Sequence, residues 1–185
     1  MNKHKASRFF IVLTILFMQI TFLTMIVKEQ YKLDNFASIP LIVLLSLTLL
    51  FGYKYLDLHH EEYVYEKFLV ALWVPVGAVM CYLLNLYFGF GSVISAGIIG
   101  TSASFLPSIN KESYYLKQLP AAIYCGVFVG MSSVAIIPSI VLVIAAGILA
   151  GVFFMLSKNL FVGMGGKLGS IAFVGVVIIT IINEL

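Results

Sequence analysis

Charge is what this sequence has least of. Residues 68–110 and 118–157 contain no Asp, Glu, Lys or Arg, and only Lys111, Glu112 and Lys117 separate the two runs. One pass through the hydrocarbon core of a bilayer takes about 20 residues, so charge-free runs of this length exclude a soluble domain. The overall balance agrees: 62% hydrophobic and 10% charged, against roughly 25% charged in globular proteins. Cysteine is nearly absent too. Cys81 and Cys125 both fall inside apolar stretches, which excludes a disulfide framework and a thiolate metal centre and leaves two small buried hydrophobes.

Ionisable groups are also missing from the apolar stretches themselves, where no Asp, Glu, Arg or His occurs. Such groups are costly in lipid and usually mark proton or charge relays, so a carboxylate-based proton pump is excluded. Facilitated diffusion, a pore, or ion coupling through hydroxyls and backbone carbonyls remain. There is no nucleophile–base pair, no metal-ligand set and no pair of carboxylates within the spans, so neither an enzyme nor a cofactor is expected. The net charge of +3 is modest, and nucleic acid is not an expected partner.

What is present is an all-α, polytopic helical membrane protein. Seven spans are expected, at about residues 9–27, 36–53, 68–88, 91–106, 119–131, 139–156 and 168–182. The first resembles a signal peptide, with Lys3, Lys5 and Arg8 ahead of an apolar stretch. It is longer than a signal h-region, however, and is followed by Lys28-Glu29-Gln30 instead of small residues, so an uncleaved span is expected. The stretch 119–156 must be split, since one helix would run about 57 Å, and Pro138 with Ser132 and Ser133 marks the turn.

The basic residues orient this topology. With the N-terminus inside, the inner segments hold nine (Lys3, Lys5, Arg8, Lys54, Lys67, Lys111, Lys117, Lys158 and Lys167) and the outer segments two, Lys28 and Lys32. That bias predicts a cytoplasmic N-terminus in the cytoplasmic membrane of a bacterium. A re-entrant fifth segment would leave six spans and weaken the bias to seven against four.

The chain is expected to be a single membrane domain, 1–185, with a change of character near residue 88. Residues 1–88 are rich in Leu and aromatics and read as lipid-facing, whereas thirteen of the fifteen glycines lie in 89–185. Small residues recur there every four positions: Ser92, Ala96, Gly100 and Ser104; Ala122, Gly126 and Gly130; Gly147 and Gly151. That spacing lines one helix face and permits close backbone approach, within one chain or between copies.

Three features are candidates for chemistry. A faint internal echo pairs Gly100-Thr-Ser-Ala-Ser-Phe-Leu-Pro107-Ser-Ile with Gly130-Met-Ser-Ser-Val-Ala-Ile-Ile-Pro138-Ser-Ile. Paired Gly/Pro-interrupted segments often mark a transporter's site, because broken helices free backbone groups. Thr101, Ser102, Ser104, Ser132 and Ser133 would line such a site, joined by Asn85, which shares a helical face with Cys81 and Ala78. Second, Gly165 and Gly166 with Lys167 form a glycine-rich turn that can act as an anion-binding nest. It is no phosphate-binding P-loop, because Phe161 and Leu168 stand where that motif needs Gly and Ser/Thr. Third, His59, Glu62 and Glu66 share a face if residues 57–66 are helical, but the spacing matches no zinc signature, and a solvated connector is the expected reading. Two functions follow: a small transporter or channel for a small solute through the glycine-rich half, or a non-transporting membrane subunit that docks a partner membrane protein or forms a homo-oligomer. A continuous polar cavity would favour the first and a solid bundle the second.

Overall fold

The computed structural model describes residues 2–32, 38–55, 64–160 and 166–184. Their regular structure is entirely helical: α1 (Asn2–Lys32), α2 (Ser38–Tyr55), α3 (Phe68–Ala71), α4 (Trp73–Tyr87), α5 (Ser92–Ser104), α6 (Leu106–Ile109), α7 (Tyr114–Gly130), α8 (Ile140–Leu156) and α9 (Lys167–Glu184). Three stretches, Phe68–Tyr87, Ser92–Ile109 and Lys167–Glu184, are long and apolar enough to cross a membrane. Ile39–Thr48 and Ile140–Leu156 are shorter apolar helices.

The contacts divide the chain into two units, Met1–Tyr63 with Asn159–Phe161, and Val64–Lys158 with Val162–Leu185. In the first unit α1 packs on α2. At 31 residues, α1 is about 46 Å long, more than a bilayer core requires. Three of its hydroxyls are satisfied within the helix: Thr14, Thr21 and Thr24 each donate to the carbonyl four residues back at 2.8 Å. They can therefore sit against lipid without another partner.

In the second unit prolines set the helix breaks. Pro75 lacks the N–H that would bond the Ala71 carbonyl, and the helix breaks at Leu72 between α3 and α4. Pro107 opens α6 just after the break at Phe105. The long apolar stretch 119–156 is split as its length requires. Helix α7 ends at Gly130 and α8 begins at Ile140, with Ser139 as N-cap accepting from the Leu142 amide at 3.3 Å. Ser113 caps α7 in the same way.

Helix α7 is the hub, packed on α4, α5, α8 and α9. Its contact with α4 is backbone to backbone. A β-carbon on Gly126 would collide with the Val74 carbonyl oxygen, and one on Gly130 with that of Ala78. Reciprocally, a β-carbon on Gly77 of α4 would lie 2.6 Å from the Ile123 carbonyl oxygen. Gly147 and Gly151 of α8 face Pro75 and Ala71 in turn. The third expected span is thus exposed on one side only, at Phe68, Leu72, Val76 and Met80, while its other side belongs to the glycine-packed bundle. The small face Val74, Gly77, Ala78 and Cys81, buried throughout, makes it a central member of the bundle, so the compositional change near residue 88 falls inside the second contact unit.

These contacts also give helix directions. Along α4 and α7 the paired positions rise together, from Trp73 with Tyr115 to Ala78 with Gly130, so the two run parallel. Along α8 they fall as those of α4 rise, so α8 is antiparallel to both. Gly175 on Ala146, with Lys167 at Ser157, makes α9 antiparallel to α8. All the charged residues described in this unit except Glu184 consequently gather at one end: Glu66, Lys67, Lys111, Glu112, Lys117, Lys158 and Lys167. The opposite end, formed by residues 88–91, 131–139 and the C-terminus of α9, carries no Lys or Arg among the described residues, and Glu184 is its one charge.

Candidate functional site

The hydroxyls of the internal echo are divided by the fold. Thr101 and Ser102 lie on the exposed side of α5, where with Ile94, Gly97, Ile98 and Phe105 they line a wide, shallow depression open to the surroundings. Ser102 donates to the Ile98 carbonyl at 2.8 Å and exposed Ser104 to the Thr101 carbonyl at 2.6 Å. Ser132 and Ser133 follow the C-terminus of α7, at the end away from the lysines, and help close the turn: the Ser133 carbonyl accepts from the amides of Ile136 and Ile137. Gly100 packs against the Tyr124 ring, so the residues that follow it on α5 sit beside the middle of α7. From Tyr124 to Ser132 is eight residues, or about 12 Å along a helix axis. The two Pro-Ser-Ile segments differ as well, one opening α6 and the other capping α8. Asn85 is half-buried near the C-terminal end of α4. The structure brings Thr101 and Ser102 together, and Ser132 and Ser133 together, but does not join the pairs in one cavity.

Of the glycine-rich turn, Gly165 lies outside the described residues. Gly166 adopts φ +82°, a left-handed conformation that favours glycine. The Lys167 ammonium donates to the carbonyls of Ser157 at 2.5 Å and Lys158 at 2.9 Å. These carbonyls follow the last turn of α8, where a cation offsets both unpaired acceptors and the negative end of the helix dipole. Two of the three Lys167 donors are therefore committed to the protein itself.

The lysine-bearing end holds a constellation that sequence reasoning passed over. Glu66 is buried and forms an ion pair with Lys158, whose Nζ lies 3.2 Å from each carboxylate oxygen. Glu66 also accepts from the Lys67 amide at 3.1 Å, while its own amide donates to the Met155 carbonyl. The Lys158 ammonium reaches the Tyr114 hydroxyl at 2.6 Å and lies 5.2 Å from that ring's centre. The Lys67 ammonium stands over the same ring at 5.4 Å. Burial alone would lower the Lys158 pKa, but the bonds to Tyr114 and Glu66 and the charge of Glu66 outweigh it and hold the group above its ordinary value. Further in, Trp73 Nε1 donates to the Tyr115 hydroxyl at 2.7 Å. A signal for Glu66 was present in the sequence: it is the last carboxylate before the first charge-free run, two residues ahead of Phe68.

His59 and Glu62 lie outside the described residues, among which no cluster of three His, Cys, Asp or Glu side chains could hold a metal. Compared with family models, curated proteins and solved structures, the chain finds no match, so its own residues carry the functional reading.

Proposed function

We propose that this chain is a non-transporting, multi-pass subunit of a bacterial cytoplasmic membrane, crossing it seven times with its N-terminus in the cytoplasm. The orientation is supported by the gathering of Lys67, Lys111, Lys117, Lys158 and Lys167 at one end of the bundle, opposite an end with no Lys or Arg among the described residues. In bacterial membranes such an end stays on the cytoplasmic side.

One observation carries the choice of a packed subunit over a conduit: among the described residues the interior of the bundle has no continuous polar lining. Among the described residues only Glu66, Ser95 and Ser157 are buried and polar. Glu66 and Ser157 lie at the lysine end, and Ser95 is bonded to the Gly91 carbonyl at 2.8 Å. Between the ends, α4, α7, α8 and α9 meet mainly through Gly, Ala, Val and Ile, with Cys81, Tyr82 and Cys125 the buried side chains there that carry a thiol or hydroxyl. A path for a hydrated solute needs groups that replace water. The role that fits is to hold a fixed shape in a membrane assembly and dock a partner or further copies.

The test is swelling and ion leak in liposomes containing the purified protein, across a panel of small neutral solutes and monovalent ions. Rates equal to those of empty liposomes are expected. Flux that falls in Thr101→Val or Ser132→Ala, while Thr14→Val behaves as wild type, would overturn the proposal and restore the echo as a transport site.

A further inference from the structure

The lysine end continues into an apolar furrow. Between α3–α4 and α8, the side chains of Phe68, Leu72, Pro75, Ile148, Val152 and Met155 line a groove of about 80 Å³, open along one side. Its walls are almost wholly apolar, and Phe68, Leu72, Ile148 and Val152 are exposed, as suits a surface bathed in acyl chains. The mouth of the furrow is joined directly to the ionic cluster. Phe68 follows Lys67 in the chain, the Met155 carbonyl accepts from the Glu66 amide at 3.1 Å, and Lys158 lies one helical turn beyond Met155.

Two ammonium groups therefore stand at the end of an apolar channel, sharing one tyrosine ring, with a single carboxylate between them. Glu66 neutralises one of the two. Lys67 has no carboxylate partner among the described residues, and its three donors face no acceptor there beyond the π-face of Tyr114. With Lys67 and Lys158 set against Glu66 alone, the mouth carries a net positive charge. The Trp73–Tyr115 pair lies deeper along the same helices, where amphipathic rings mark the membrane interface. Basic pockets between membrane helices recognise anionic head groups by this combination of charge and depth.

We propose that the furrow holds part of one acyl chain of an anionic phospholipid, with its phosphate against Lys67 and Lys158. The ion pair gives the site its form: Glu66 fixes the Lys158 ammonium in place, and Tyr114 sets the spacing of the two cations. The furrow supplies affinity for any chain, and the lysines supply the preference for negative charge.

The experiment is native mass spectrometry of the full-length protein, purified in detergent and offered equal amounts of phosphatidylglycerol and phosphatidylcholine with identical chains. Wild type should retain phosphatidylglycerol preferentially. Lys67→Gln, which leaves the Glu66–Lys158 pair intact, should lower that retention about fivefold, the factor contributed by one lysine at an anionic surface. Ile148→Trp changes an exposed side chain and fills the furrow, and should also weaken phosphatidylglycerol retention while every lysine remains. Equal retention of the two lipids by wild type would overturn the proposal. So would a preference that Lys67→Gln leaves intact, or one that Ile148→Trp does not diminish, since surface charge alone would then account for it.

Discussion

Replacing Gly126 by alanine tests the packing of this bundle at its tightest point. The added methyl would meet the Val74 carbonyl oxygen and the Ala78 amide nitrogen of α4, both backbone atoms. No side-chain rotation relieves such an overlap, so α4 and α7 must separate. Comfortable carbon contacts lie near roughly 3.5 Å, which requires a shift on the order of 1 Å or more. A gap of that size forfeits about a quarter to a half of the dispersion energy of each contact it opens. Helix association in lipid rests largely on those contacts. Overpacking typically costs about 1–3 kcal/mol, and the upper end applies where neither partner can rotate away. Alanine's better helix propensity returns about 1 kcal/mol, leaving a net loss of about 2 kcal/mol. For a chain of this size that lowers the thermal midpoint by roughly 4–8 °C. The control is Gly97→Ala in α5, where a β-carbon meets nothing within 4 Å; it should be neutral or stabilising by up to about 1 kcal/mol. Thermal unfolding in detergent decides the matter. The reasoning fails if Gly126→Ala melts at or above wild type, or if Gly97→Ala is destabilised as much.

Removing Lys158 alone, as Lys158→Met, leaves Glu66 buried without its cation and should cost roughly 3 kcal/mol or more, while Glu66→Gln with Lys158→Met should recover much of that loss; a double-mutant cycle of unfolding midpoints would show the coupling. Because the folded pKa of Lys158 is raised, its contribution is fully present below the ordinary lysine value of 10.5 and lost as pH rises through the higher folded value. Alkaline titration should therefore destabilise wild type more than the Glu66→Gln, Lys158→Met protein above about pH 10.5, with no difference in slope between pH 7 and 9. For topology, in a background lacking Cys81 and Cys125, an impermeant thiol reagent applied from outside should label a cysteine at Glu184 and not one at Glu112. The reverse pattern would invert the orientation, and labelling at neither would favour six crossings.

Much of the architecture was legible in the chain because it depends on properties each residue carries alone. Transfer energy into hydrocarbon is summed along a segment, so the charge-free runs marked where apolar helices lie. Pro138 and the length limit of a span separated α7 from α8, and the lysines marked the ends. The stripe through Gly126, Gly130, Gly147 and Gly151 announced close approach, because an absent side chain is a local fact. The partner of each glycine was not local. Val74, Gly77 and Ala78 sit in a segment rich in large apolar residues, and only the matching of two helix surfaces showed that this face meets α7. Sequence likewise suggested one site from the two Gly-Pro echoes, whereas helix direction and the length of α7 place their hydroxyls apart. It assigned Glu66 to a solvated connector, since burial of a carboxylate depends on Lys158 and Tyr114 arriving from 92 and 48 positions away. Hydropathy and charge order a membrane chain along one dimension; which faces touch, and which charges are drawn out of water, is settled only when the helices pack.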